Sequence, residues 1–198
     1  MVNDLNWAIG GEAGDGIDST GKIFARALAR AGRHVFTSKD FASRIRGGYT
    51  AYKVRTAVER VESVVDRLDI LIALTERTID ENLDELQDGS VIIYDGEQTT
   101  MQDVEVPEGT VGLEVPLNSL AEEAGGAIMR NVVALGAASA VADFPVEYLD
   151  EALVKRFGEK GEAIVANNRE AARLGRDYVR ENTDYSDEFS LETTDEDY

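Results

Sequence analysis

Two apolar runs constrain the fold of this chain more than any other feature. LDILIALT (68–75) and SVIIYD (90–95) lack the regular alternation of polar and apolar residues that a strand with one exposed face requires. Continuous apolar strands of this length are typical of a parallel sheet covered by helices on both faces. The sequence therefore predicts an α/β fold.

The N-terminal residues predict the beginning of such a sheet. An apolar strand, LNWAIG (5–10), is followed by a glycine-rich loop, GEAGDG (11–16), and then by an amphipathic helix that Asp18 or Ser19 can cap. HVFTS (34–38) predicts the next strand. This order of elements is that of a βαβ unit, which indicates parallel strands.

The rest of the chain predicts two further strands and a helical second half. YTAYKVRT (49–56) alternates like a half-exposed strand, and TVGLEVP (110–116) predicts an edge strand. The predicted helices cover 78–86, which Gly89 would end, and 117–124, 127–142, 146–157 and 160–180. We therefore expect a three-layer α/β/α domain with a mostly parallel central sheet and a helical C-terminal half.

The C-terminal segment differs in composition from the rest. Residues 181–198 hold eight acidic residues and no Lys or Arg. Such a segment buries too little apolar surface to offset the entropy lost on ordering. We expect one domain over 1–180, followed by an acidic flexible tail or interdomain linker over 181–198.

The net charge of the chain is −19. A chain this acidic repels nucleic acid and anionic membranes, so neither is expected as a partner. Arg outnumbers Lys by 15 to 5. Acid excess with little Lys is typical of proteins from a very salty cytoplasm, where salt screens the repulsion between carboxylates. We expect a halophilic source.

Cysteine is absent, and His34 is the only histidine. The chain itself therefore cannot supply a disulfide, a thiolate nucleophile or cysteine ligands for zinc or an iron–sulfur cluster. Ser-His-Asp chemistry would depend on His34 alone, so neither a catalytic residue nor a metal site is predicted. The sequence shows no signal peptide and no apolar run as long as a membrane span, and we expect a soluble cytoplasmic protein.

The positive charge is concentrated in residues 22–60, which hold ten Lys or Arg against two acids. A basic segment in such an acidic chain indicates an anionic ligand or an acidic partner surface. The alternative is that these cations pair with carboxylates from elsewhere in the same fold.

The glycine-rich loop partly matches a phosphate-binding P-loop. The stretch from Gly16 to Lys22 fits G-x-x-x-x-G-K, but Ile23 stands where Ser or Thr would bind magnesium. A strand that ends near Gly10 and a helix that opens at Ile17 also place Lys22 in the second helical turn, away from any phosphate. The run VIIYD, which ends at Asp95, could otherwise pass for the strand whose Asp holds magnesium.

The loop also fails to match a dinucleotide-binding loop, and two interpretations stay open. Gly14-Asp-Gly16-Ile-Asp-Ser19 lacks the third glycine of the dinucleotide-binding fingerprint. The glycines of the loop (Gly11, Gly14 and Gly16) can instead form a tight turn, or permit close approach by a ligand or another chain.

Five stretches, in this order, resemble a known family. They are IGGEAGDGIDSTGKIFARALARAG, VFTSKDFASRIRGGYTAYKVR, DILIAL, MRNVVALGA and NNREAARLG. The chain is similar over about residues 5–175 to the γ domain of 2-oxoacid:ferredoxin oxidoreductases, and SRIRGG (43–48) is the most specific stretch. It looks most like the γ domain fused ahead of the α domain in two-subunit enzymes, where an acidic segment such as 181–198 would join the two.

The resemblance implies an activity that this chain shares with partners. Such enzymes decarboxylate 2-oxoglutarate, pyruvate or a similar acid, transfer the acyl group to coenzyme A and pass electrons to ferredoxin. Thiamine diphosphate and iron–sulfur clusters belong to the α and β domains or subunits, so no cofactor is expected on this chain alone. The γ domain is expected to pack against these partners and to support the coenzyme A side of the site.

SRIRGG also has a chemical interpretation. Arg44 and Arg46 can present guanidinium groups to phosphate or carboxylate, and Gly47 and Gly48 allow a close backbone approach. We predict that this loop, beginning at Ser43, contacts coenzyme A or an acidic partner surface. The alternatives are a salt bridge within the domain or an interface contact without a ligand.

Other residues carry weaker hypotheses. Asn131 caps or orients the glycine loop, or is an ordinary polar residue at a helix start, and Gly136 allows close helix packing. Tyr49, Asp15 and Asp18 depart from the family pattern; the two carboxylates make a phosphate contact by the first loop less favourable and an interface role more so. The rival to the oxidoreductase is a stand-alone nucleotide-binding or regulatory module.

Overall fold

The computed structural model describes residues 4–41, 48–102, 104–185, 189–191 and 193. The strands are β1 (Asp4–Glu12), β2 (His34–Phe41), β3 (Tyr49–Ala57), β4 (Leu68–Ala73), β5 (Leu86–Tyr94) and β6 (Val111–Glu114). The helices are α1 (Ile17–Arg30), α2 (Glu76–Asp80), α3 (Leu117–Ala124), α4 (Arg130–Val141), α5 (Val146–Phe157) and α6 (Glu162–Asn182). Short 3-10 turns cover Leu83–Glu85, Ala127–Met129 and Gly158–Lys160.

The six strands form one sheet in the order β2-β3-β1-β4-β5-β6. Neighbours among β1, β4, β5 and β6 are parallel, whereas β3 is antiparallel to β1 and to β2. The mostly parallel sheet is confirmed, and β6 is an edge strand as predicted. The simple βαβ unit is wrong, because β3 lies between β1 and β2 and pairs with β1 from Asp4↔Ala57 to Glu12↔Tyr49.

Helices lie on both sides of the sheet, so the three-layer arrangement is confirmed. On one side α1, α3, α4, α5 and α6 pack on apolar side chains of all the inner strands. Trp7, Phe24 and Phe144 form the aromatic centre of this layer, with ring centroids 5.0 Å and 5.7 Å apart in succession. On the other side Ile79 of α2 packs with Ala8, Leu71 and Ile92.

The four C-terminal helices lie close to their predicted positions, but the region before β5 does not. Instead of one helix over 78–86, α2 ends at Asp80 and a 3-10 turn follows. Gly89 ends no helix; it lies inside β5 with φ of +81°. Helix α1 begins at Ile17 as predicted, but the N-cap position is Gly16 and no side chain caps it.

Among the described residues, no single helix has both the length and the apolar composition needed to span a membrane. Leu117–Ala124 and Ala127–Val141 meet the criterion only as a pair, and they are bent by 117°. All residues of α4 from Val132 to Val141 are buried inside the domain. The apolar composition of α4 is therefore accounted for by its place in the core.

Candidate functional site

The glycine loop lies at the carboxyl end of β1, which continues two residues further than predicted, to Glu12. Gly14 and Gly16 have φ of +113° and +80°, a region that other residues adopt only with strain. The Asp15 carboxylate accepts a hydrogen bond from the Glu12 N–H at 3.1 Å. The loop is thus a tight turn that its own side chain closes.

The first residues of α4 hold this loop from outside. The Asn131 side-chain amide donates to the Asp15 carbonyl oxygen at 2.5 Å and to the Thr20 hydroxyl at 3.3 Å. The Arg130 guanidinium lies 3.4 Å from the Asp15 carboxylate. Residues more than a hundred positions apart therefore fix the turn and the start of α1.

A cleft of about 670 Å³ opens beside the loop. Its polar wall is formed by Gly14, Gly16 and the first turn of α1, and its other walls come from the starts of α3, α4 and α6 and from the end of α5. The rim is apolar, since Ile128 is 85% exposed and Ile164 is 37% exposed. The start of α1 has no side-chain cap, and a helix start favours negative charge, so the cleft suits a ligand with both an anionic and an apolar part.

Two of the carboxylates of this region, Asp15 and Asp18, form salt bridges within the domain. Asp15 has Arg130 as its partner, and Asp18 is paired with both Lys22 and Lys39. Burial alone would raise the pKa of Asp18, but the hydrogen bonds from the two lysines outweigh it, and the pKa is lowered. The negative charge of the loop therefore weighs less against an anionic ligand than the sequence suggests.

Replacing Asp18 with asparagine is expected to lower the free energy of unfolding at neutral pH by less than about 1 kcal/mol, because the pairs are half exposed. A carboxylate whose pKa is lowered by folding stabilises the fold above its ordinary value, 3.8, and this contribution is lost as the pH falls through the lowered pKa. Thermal unfolding of both proteins should therefore differ at neutral pH and converge in strong acid. A difference of equal size at both pH values would contradict the assignment.

The structure rules out the P-loop interpretation. Gly21 and Lys22 lie inside α1, and the Lys22 ammonium donates to Asp18 at 2.6 Å. The carboxylate of Asp95 accepts the N–H of Glu97 and of Asn118, each at 3.1 Å, so it caps the start of α3. Among the described residues, no group of three or more His, Asp and Glu side chains is placed to bind a metal.

The basic segment is largely paired within the domain. Arg44 and Arg46 lie outside the described residues, and six of the other eight cations form salt bridges: Lys22, Arg30, Lys39, Lys53, Arg55 and Arg60. Lys53 is the most enclosed of them and bridges Glu85, at 2.5 Å, and Asp40, at 2.9 Å. Burial alone would lower the pKa of Lys53, but the two carboxylates raise it. The alternative of pairing with carboxylates from elsewhere in the fold is correct for Arg30, Lys39, Lys53 and Arg55. Lys22 and Arg60 pair with carboxylates close by in sequence.

The predicted SRIRGG site lies mostly outside the described residues. Ser43, Arg44, Arg46 and Gly47 are not described, and Gly48 is the first residue after the gap. The Gly48 carbonyl accepts the N–H of Ala13 at 2.8 Å. The end of the SRIRGG stretch therefore meets the glycine loop, which brings two of the predicted site segments together.

Tyr49, a departure from the family pattern, has a structural explanation. It is buried, and its hydroxyl accepts a hydrogen bond from the Asn82 side chain at 2.6 Å. Burial raises the pKa of this phenol. A Cβ atom at Gly10 would lie 2.5 Å from the Thr78 methyl group and 3.1 Å from the Tyr49 ring and hydroxyl, so Tyr49 and Thr78 together fill the space that this glycine leaves.

Comparison with known proteins supplies the identity of this arrangement. The family model for pyruvate ferredoxin/flavodoxin oxidoreductase matches residues 6–178. The chain belongs to this family. The match covers the sheet, the glycine loop, the cleft and nearly all of α6, so the whole candidate site lies within the family domain.

Three relatives illustrate the similarity. The α subunit of 2-oxoacid:ferredoxin oxidoreductase 2 from Aeropyrum pernix is 28% identical over 90% of this chain and 34% of its own length. The 2-oxoglutarate:ferredoxin oxidoreductase of Magnetococcus marinus, solved with 2-oxoglutarate, coenzyme A and succinyl-CoA bound, matches 98% of this chain with a TM-score of 0.87 and 34% identity. The keto/oxoacid ferredoxin oxidoreductase γ subunit of Geobacter sulfurreducens matches 87% of this chain and 96% of its own, at 25% identity and a TM-score of 0.72.

The lengths of these matches differ in an informative way. This chain spans about a third of the A. pernix subunit and of the M. marinus chain but almost all of the G. sulfurreducens γ subunit. The family domain therefore occurs both as part of a longer polypeptide and as a subunit by itself.

Proposed function

We propose that the chain is the γ component of a 2-oxoacid:ferredoxin oxidoreductase. The complex would catalyse the coenzyme A-dependent oxidative decarboxylation of 2-oxoglutarate or pyruvate and pass the electrons to ferredoxin. The main support is the similarity to the M. marinus enzyme, which spans 98% of this chain and comes from a structure with coenzyme A bound.

The role proposed for this domain is to support the coenzyme A side of the site. The cleft offers helix starts and the Asn131-braced loop for phosphate groups, and an apolar rim that includes Ile128 for an uncharged arm. The end of SRIRGG joins the same region through the Gly48–Ala13 hydrogen bond. Arg44 and Arg46 are the guanidinium groups that we propose contact the coenzyme or an acidic partner surface.

The redox chemistry is assigned to partners. The sequence contains no cysteine, so it cannot ligate an iron–sulfur cluster through thiolates. Thiamine diphosphate and the clusters are proposed to reside in α and β domains or subunits, with ferredoxin reached through the complex. Residues 1–180 would be the γ-type domain and 181–198 the acidic linker or tail, in a halophilic cytoplasm.

The direct test uses native material. The chain is isolated with whatever binds it, in concentrated KCl, and reduction of a viologen dye by different 2-oxoacids is measured with and without coenzyme A. Coenzyme A-dependent reduction would support the proposal and name the acid. A chain that carries no partner, reduces no dye and binds ATP or NAD tightly would favour the stand-alone nucleotide-binding module.

Replacing Arg46 with alanine is expected to raise the KM for coenzyme A about tenfold, because one charge-assisted contact to phosphate is lost. Turnover at saturating coenzyme A and the thermal midpoint should stay close to those of the wild type. Arg60 provides the matched control, since it belongs to the same basic segment and its side chain is 79% exposed beside Glu62. An unchanged KM in Arg46→Ala, or an equal rise in Arg60→Ala, would reject the contact.

A further inference from the structure

The acidic segment after α6 returns to the body of the domain. Leu191 is only 5% exposed and belongs to the main apolar core. Tyr185 and Phe189 are partly buried against the same core. Composition alone predicts that this segment is solvated, so these three apolar side chains call for a separate explanation.

The carboxyl end of α4 is the surface that contacts Tyr185 and Leu191. The Leu191 N–H donates to the Ala142 carbonyl at 3.1 Å, and the Tyr185 hydroxyl lies 3.5 Å from the Val141 carbonyl. The last carbonyl groups of a helix have no partner within the helix and need one from outside. The tail supplies these partners through the Leu191 N–H and the Tyr185 hydroxyl, and the apolar parts of both side chains pack against the core.

The turn after α4 is shaped for this contact. Asp143 has φ of +43° and is the one residue other than glycine with positive φ among those described. Its carboxylate receives Arg180 of α6 at 3.4 Å and the Ser190 hydroxyl at 3.5 Å. A strained conformation persists where the surrounding contacts determine it, and here these contacts come from α6 and from the tail.

We propose that the end of α4 (Val141–Phe144) is an interaction surface whose occupant is this chain's own tail, anchored there through Tyr185 and Leu191, with Phe189 packed against the same core. A free tether can then begin only after Leu191. Where more polypeptide follows, which rests on the proposed function, the anchor fixes the point at which the next domain is attached. Composition predicts that residues 181–198 form a linker. Because the part up to Leu191 packs against the domain, that part belongs to the domain.

The test uses the full 198-residue chain in concentrated KCl. Chymotrypsin cleaves after Tyr, Phe and Leu, so each anchor is also a cleavage site. Cleavage after Tyr185 and Phe189, the two sites that every variant keeps, is compared in wild type, Leu191→Asp and Thr193→Asp. Thr193 is exposed, which makes its substitution a control that adds the same charge two residues beyond the anchor.

Cleavage in Leu191→Asp is expected to be at least about tenfold faster than in wild type, because protease attack follows the population of the undocked tail. Thr193→Asp should match wild type, and amide exchange at Leu191 should be slow in both. Equal cleavage of wild type and Leu191→Asp, or rapid exchange at Leu191 in the wild type, would overturn the proposal. If Leu191→Asp unfolds the whole domain, Leu191→Ala takes its place, with its thermal midpoint measured alongside.

These readouts do not depend on enzyme activity. A protected tail in a chain without dye reduction would leave the anchor standing and reject the oxidoreductase assignment. An active complex whose tail is cleaved freely would support the oxidoreductase assignment and reject the anchor.

Discussion

Replacing Gly136 with alanine is expected to lower the free energy of unfolding by about 3 kcal/mol, at the upper end of what overpacking in a core usually costs. Gly136 of α4 faces α6 so closely that a Cβ atom would overlap the Ala172 carbonyl oxygen and lie 2.8 Å from its carbon. Gly175 of α6 stands in the same relation to the Val133 carbonyl. Because the obstacles are backbone atoms, one of the helices must move.

Helix propensity alone would predict the opposite result, a gain in stability. Alanine in place of glycine in a helix ordinarily stabilises by about 0.5–1 kcal/mol, so a loss must come from the packing. Gly158→Ala is the matched control, since a Cβ atom there meets nothing within 4 Å and the residue has ordinary helical angles. Urea unfolding in concentrated KCl measures both variants. A Gly136→Ala protein as stable as Gly158→Ala would show that α4 and α6 tolerate a wider separation.

The elements that the sequence predicted well are those that the apolar pattern determines directly. β4 and the second half of β5 are buried on both faces, and their runs of Ile, Leu and Val could not be accommodated on a half-exposed strand. Helices α3 and α5 agree with their predicted bounds because Gly125 and Pro145 mark the ends. Local composition was sufficient in these cases.

The position of β3 in the sheet could not be predicted from the pattern of polar and apolar residues. Lys53 and Arg55 alternate with apolar residues and therefore suggest an exposed face, but this pattern does not say whether a strand lies at an edge or, like β3, inside the sheet. Their charges are satisfied across the sheet, Lys53 by Glu85 and Arg55 by Asp4 at 2.8 Å. The alternation of polar and apolar residues shows where charged side chains occur. It does not show whether such a charge is paired inside the fold or exposed to water.

The helix predicted over 78–86 failed for a different reason. A segment of nine residues covers little more than two helical turns, which is too short for periodicity to separate a helix from a strand. Leu86 already belongs to β5, and Gly89, with its positive φ, lies where the register between β4 and β5 shifts. Gly89 correctly indicated a break in regular structure, but the break lies inside a strand and not at the end of a helix.

Only part of the candidate site could be predicted from the sequence. The glycine loop and Asn131 were identified, but the opposite wall of the cleft was not, because Phe157, Lys160 and Ile164 reach it only through the packing of α5 and α6. One local signal existed: Ile128, an exposed apolar residue that follows the Gly125–Gly126 pair. Glycines with positive φ hold it at the rim of the cleft.

Replacing Asn131 with alanine is expected to release the glycine loop from α4. The variant loses the hydrogen bonds to the Asp15 carbonyl and to the Thr20 hydroxyl, and the free energy of unfolding should fall by about 1–2 kcal/mol. Amide exchange of Gly14 and Gly16 should become faster, since α4 no longer holds the turn. This readout concerns the loop alone and is independent of the proposed function.

In the active complex, the same variant should raise the KM for coenzyme A about tenfold, with little change in turnover at saturation, because a loop that must first be ordered binds more weakly. Asn131→Asp should be worse, since it places an acceptor against the Asp15 carbonyl. Asn118→Ala is the control: Asn118 lines the same cleft, but its bond to Asp95 comes from the backbone N–H, which alanine keeps. If Asn131→Ala loosened the loop without raising the KM, Asn131 would support the fold only. If Asn118→Ala raised the KM equally, the effect would belong to the cleft wall in general, and Asn131 would have no positioning role.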